Sequence, residues 1–247
     1  MNIERHGNGE NIYLALHGWG TDRRIFAPLL ELVPQNATFY TADLPGVSLS
    51  PAPSEWTVTE IVREILDVIS KINSSRITIV GHCGGSIFGL VAVIQDEKSI
   101  ERIVMIDPFA YLPRYFKVFL NDAIGGIAYK TTFANPIGRW ITNQALRNHR
   151  QDNSDLTESF STIDHEVARK YLALFAEMES IKIPEDLAVK VDLVYGEKSF
   201  SAVKKSVASL RKSLPKSQVW KLDNAAHLPM EEATKQLCEI LFEPETC

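Results

Sequence analysis

Residues 76–95 read RITIVGHCGGSIFGLVAVIQ, and no other stretch constrains the fold as tightly. A short apolar run, Ile77 to Val80, meets Gly81-His82-Cys83-Gly84-Gly85 and continues into an apolar segment rich in small residues. A run of that length bounded by glycines reads as a buried strand, and the longer segment reads as a helix. The turn between them is too short for anything but a sharp reversal. Glycines two residues either side of Cys83 let strand and helix approach closely, and they leave Cys83 at the tip in a strained backbone conformation. The helix N-terminus then points at the thiol and favours negative charge there.

The rest of the chain repeats this alternation. NIYLAL (11–16), ATFYTADL (37–44), ERIVMID (101–107), KVDLVYG (190–196) and SQVWKLD (217–223) read as strands. Helical spacing of Val58, Ile61, Val62, Ile65, Leu66, Val68 and Ile69 predicts a helix capped by Thr57 or Thr59. Further helices are expected at 202–214 and 229–242. Apolar strands alternating with helices imply an α/β fold with a mostly parallel sheet covered on both faces. The rhythm breaks at Pro108. Residues 108–185 hold no obvious strand but many aromatics: Phe109, Tyr111, Tyr115, Phe116, Phe119, Tyr129, Phe133 and Trp140. We read a core of residues 1–107 and 186–247, with 108–185 inserted as a helical cap. About half of these aromatics are expected to pack the cap's own interior.

Composition narrows the function classes. The net charge is −5, without blocks of like charge, which argues against nucleic acid or an anionic membrane as partner. No apolar stretch approaches the ~20 residues of a membrane span. MNIERHGNGE has no signal-like apolar region. The three cysteines, Cys83, Cys238 and Cys247, have no metal-like spacing, so the expectation is a reduced, cytoplasmic protein without a metal or cofactor.

Four landmarks, His17-Gly18-Trp19-Gly20, Asp43-Leu44-Pro45-Gly46, the Cys83 turn and Asn224-Ala225-Ala226-His227, resemble the α/β-hydrolase superfamily in content and order. Within it the chain looks like the small capped carboxylesterases. The resemblance runs from about residue 11 to 242 and implies the α/β-hydrolase fold. It makes Cys83 the nucleophile, where the family's G-x-S-x-G elbow usually carries serine. It makes His227 the general base, and the backbone N–H groups of Trp19 and Gly84 the oxyanion hole. His17 would fix its loop by hydrogen bonds, Asp43 would fix another, and His82 would pack beside the elbow or face the pocket. Tyr111, Tyr115 and Phe116 are further pocket candidates.

The acid departs from the family pattern. Its usual place after KVDLVYG holds Ser199, with Glu197 two positions short. Asp107, after ERIVMID, occupies a position that some relatives use, and we favour it over Glu197. A Cys–His dyad is a third arrangement, because thiols depend less on an acid behind the base. Three functions are compatible with these residues. One is a cysteine hydrolase of an ester, thioester or lactone, with a small acyl substrate, free or carrier-linked. The second is an acyltransferase or cyclase that passes the Cys83-bound acyl group to another acceptor. The third is a non-catalytic protein that binds a small ligand under the cap.

Overall fold

The computed structural model describes residues 1–74, 76–151, 154–184 and 186–242. Cys247 and residue 185, where the sequence places the end of the insertion, lie outside the described residues. Seven strands form one sheet in the order β1-β3-β2-β4-β5-β6-β7: β1 Asn2–Gly7, β2 Asn11–Leu16, β3 Ala37–Asp43, β4 Ile77–His82, β5 Ile100–Ile106, β6 Lys190–Gly196 and β7 Gln218–Leu222. All neighbours run parallel except β1, which pairs antiparallel with β3. The helices are α1 Ala27–Leu30, α2 Val58–Ile72, α3 Gly84–Gln95, α4 Arg114–Lys117, α5 Gly125–Tyr129, α6 Pro136–Ala145, α7 His165–Met178, α8 Ser201–Ser213, α9 Pro229–Glu232 and α10 Thr234–Phe242.

The five inner strands, β2 to β6, are mostly buried because both faces of the sheet are covered there. On β2, Leu14 and Leu16 join one buried cluster, with α2, α3 and α8. Tyr13 and Ala15 join the other, with α1 and α10. Strand alternation thus feeds two cores from one sequence. Helix α2 follows its sequence signals closely. Thr57 accepts a hydrogen bond from Glu60 N at 3.2 Å, Asn73 ends the helix at φ 53°, and Ile61, Val62, Ile65, Val68 and Ile69 are buried. Each such side chain contributes about 1.5–3 kcal/mol of burial free energy.

Three elements differ from expectation. Strand β1 was not expected: it is a half-exposed edge strand whose sequence, NIERHG, carries no apolar alternation. The expected single helix over 229–242 is two, because Ala233 leaves the helical region at φ −145°, ψ 39°. Strand β7 lies at the other edge of the sheet and is exposed along most of its length, although its sequence resembles that of an interior strand. Between β5 and β6 the chain forms α4 to α7, joined by 3₁₀ turns and a π-helical turn at Lys130–Ala134.

Candidate active site

Four neighbouring strands deliver the site at their carboxyl ends. Cys83 follows β4, Asp107 follows β5, Ser199 follows β6 and His227 follows β7. This edge of a parallel sheet is where open α/β folds place their ligands.

Cys83 sits at φ 51°, ψ −120°, and Asp107 at φ 45°. Such left-handed values are uncommon for residues with a side chain, and strain of this kind persists only where the surroundings enforce it. At the elbow the enforcement is steric. A Cβ on Gly81 would stand 2.3 Å from Ser86 Cα, and one on Gly85 2.2 Å from the His17 carbonyl oxygen. The turn also ties back into the sheet, since Cys83 N donates to Ile106 O at 2.9 Å. The side chain of Cys83 is left at 9% exposure.

Asp107 and His227 are 120 residues apart in sequence, yet His227 Nδ1 lies 2.8 Å from Asp107 Oδ2. The buried Asp107 carboxyl group is fully occupied. Gly196 N donates to Oδ1 at 3.0 Å, and the Ser199 hydroxyl donates to Oδ2 or, rotated, to Ala226 O at 3.0 Å. Ser199, which stands where the family keeps its acid, thus supports the acid that comes from β5. Glu197 is exposed, holding Asn224 N and Lys221 away from the site.

With Nδ1 engaged by Asp107, His227 shares the walls of both adjoining cavities with Cys83. Burial alone would lower the His227 pKa. The hydrogen bonds and negative charge of Asp107 and Cys83 outweigh burial and push it up to about 10. His82 is the reverse case: burial, and then the charge of His227, bring it down to about 3. Neutral His82 donates from Nε2 to the His227 carbonyl at 3.2 Å, so it props the loop that carries the imidazole.

The raised pKa of His227 has a consequence for stability. A folded-state value above the unfolded 6.5 adds stability that is complete below 6.5 and is lost as pH rises toward about 10. Urea unfolding of the wild type is therefore expected to show a decline across that interval, and Asp107→Asn is expected to flatten it. Parallel pH profiles for the two proteins would show that Asp107 does not hold the imidazolium.

The loop after β2 borders Cys83. A Cβ on Gly18 would lie 2.6 Å from Cys83 Cβ. His17 fixes this loop through contacts to Gly18 O at 2.9 Å and Leu44 N at 3.0 Å. Among the described residues the backbone amides of Trp19 and Gly84 have no protein acceptor, leaving two donors next to Cys83. Asp43 fixes the neighbouring loop by accepting from Arg23 N at 3.0 Å.

Two cavities meet at Cys83, Trp19 and His227. One, of about 480 Å³, is apolar; six of the eight aromatics singled out in the insertion line it, including Tyr111, Tyr115 and Phe116. That is more than the half expected, and only Tyr129 and Trp140 do not. The other cavity, of about 340 Å³, mixes apolar surface with the charged side chains Asp22, Arg24, Asp155, Glu158 and Glu231. His82 borders this charge-lined cavity and not the apolar one. The second cavity had no sequence signal, because its walls come from four distant segments. Trp19 is held between the cavities by Nε1, which donates to Ala168 O at 2.8 Å, and by edge contacts with Phe116, Phe133 and Phe160.

A thiol at a strand–helix elbow, backed by a histidine and a buried aspartate from successive strand ends, defines the α/β-hydrolase type of site. Residues 13–240 match the alpha/beta hydrolase family, and the chain belongs to it. Over 98% of its length it is 23% identical to the pimeloyl-[acyl-carrier protein] methyl ester esterase of Aeromonas salmonicida, covering 97% of that protein. It is 30% identical over 104 residues to a serine hydrolase-like protein of Danio rerio; that match takes in 40% of this chain and 32% of the relative. Among solved structures, a thermophilic esterase from Thermogutta terrifontis superposes with a TM-score of 0.74 at 14% identity, over 97% of this chain and 90% of that one.

Proposed function

We propose that the protein is a cysteine hydrolase that cleaves a carboxylic ester or thioester through an acyl-enzyme on Cys83. The observation that carries this reading is the Asp107–His227 hydrogen bond at the junction, marked by Cys83, of an apolar and a charge-lined cavity. The acyl group lies in the apolar cavity and the leaving group in the charge-lined one. Cys83 passes its thiol proton to His227 as its sulfur attacks the carbonyl carbon, and the amides of Trp19 and Gly84 stabilise the resulting oxyanion. Collapse breaks the bond to the leaving group, which takes a proton from His227. Water, losing a proton to the now neutral His227, then attacks the thioester and releases the acid and the Cys83 thiol. Asp107 keeps the imidazole oriented and stabilises its cationic form.

The relative from Aeromonas acts, by its name, on a methyl ester of a carrier-bound acyl group. That supports an ester substrate with a medium-length acyl chain. With p-nitrophenyl esters from acetyl to decanoyl, kcat/KM is expected to rise by up to about fourfold per methylene until the cavity is full. A flat profile across the series would remove the role given to the aromatic cavity.

A further inference from the structure

The outer surface of the inserted helices also carries exposed apolar side chains. Among the described residues, seven of the twelve exposed large hydrophobic side chains fall between residues 115 and 141. On α6, Ile137, Trp140 and Ile141 form one stripe, at 69%, 65% and 55% exposure, while Thr142 and Leu146 on the opposite side line the acyl cavity. Ile124 and Ile127 repeat the pattern beside α5, and Tyr115 and Val118 at α4. Tyr115 belongs to both surfaces, since it is exposed and lines the cavity. An isolated exposed isoleucine is ordinary; a run of them over three successive helices marks a surface that binds something.

Charge identifies the partner. Residues 114–150 carry six Lys or Arg and a single acidic residue, Asp122, while the other 210 residues carry 20 Lys or Arg against 30 Asp or Glu. The net charge of −5 thus conceals a cationic patch. Lys117 pairs with Glu179, but Arg114, Lys130 and Arg147 are exposed without an acidic partner among the described residues. No helix among the described residues is long and apolar enough to cross a bilayer.

We propose that the outer face of residues 114–150 docks onto an anionic lipid surface. Isoleucine and tryptophan side chains enter the interface while the flanking arginines and lysines meet the headgroups. Docking sets the rim of the acyl cavity at Tyr115 against the lipid, so an amphiphilic acyl substrate passes into the site without crossing water.

The test is flotation of the full chain with vesicles of phosphatidylcholine, with and without phosphatidylglycerol, using the Cys83→Ala protein beside the wild type. Binding is read without turnover, so it stands or falls separately from the proposed reaction. Phosphatidylglycerol is expected to strengthen association by about tenfold or more. The pairs Ile137→Asp/Trp140→Asp and Arg114→Glu/Lys130→Glu are each expected to lose most of that gain, with unchanged circular dichroism. Cys83→Ala is expected to bind like the wild type. Absence of association with either vesicle overturns the proposal, as does binding that the surface variants leave intact. A self-association removed by the same variants, or binding to an acidic acyl carrier protein in place of vesicles, would assign the face to another occupant and overturn it equally.

Discussion

Replacing Cys83 with alanine is expected to lower turnover by about 10⁴-fold or more, to the level that binding and the oxyanion donors sustain alone. The substitution removes one sulfur from a site that is already 9% exposed and leaves the elbow's contacts in place. Stability should therefore change little while activity disappears. Cys83→Gly separates the two effects further. Glycine adopts φ 51° without the cost that a side chain carries there, so this variant is expected to be more stable than Cys83→Ala by about 1–2 kcal/mol. An inactive protein gaining stability would show that the elbow's strain is kept for the thiol's sake. If Cys83→Ala retained full turnover, the nucleophile would have to be sought elsewhere.

The second large effect is expected at Asp107. Asn at this position keeps the shape but loses the charge that holds the His227 imidazolium, and its amide can turn a donor toward Nδ1. Turnover should fall by about 10²–10⁴-fold. Glu197→Gln should stay within a few-fold of wild type, since Glu197 serves only Lys221 and Asn224 at the surface. The His227 ring resonances provide an independent readout. In the wild type they should titrate near 10, and in Asp107→Asn well below that. Equal losses in Asp107→Asn and Glu197→Gln would leave no reason to choose between the two acids.

The sequence carried the interior of this fold more clearly than its edges. Strands β2 and β6 match their apolar runs residue for residue, because burial on both faces leaves only apolar side chains possible. Strand β1 needed only one partner and a half-wet surface, so Glu4 and Arg5 are as suitable there as valine, and no signal remained. The break at Ala233 is equally silent, since no proline or glycine marks it. In the candidate site, Cys83 and His227 were picked out by motifs that resemble the family's, and Asp107 by a position that some relatives use; the structure brings Asp107 and His227 into hydrogen-bond contact. The hydroxyl of Ser199 against Asp107 was not, because 92 residues separate them and only the adjacency of β5 and β6 joins them. The cationic bias of residues 114–150 is a property of one contiguous segment and was hidden only by averaging charge over the whole chain, whereas the second cavity is assembled from segments far apart in sequence.

The most direct test of the account is intact-mass spectrometry after mixing the protein with p-nitrophenyl and thioester acyl donors, while product release is followed in parallel. The account predicts a mass increase of one acyl group on Cys83 that decays in water as acid is released, and no adduct on Cys83→Ala. No adduct and no release from any donor, or an adduct that persists on Cys83→Ala, would contradict it.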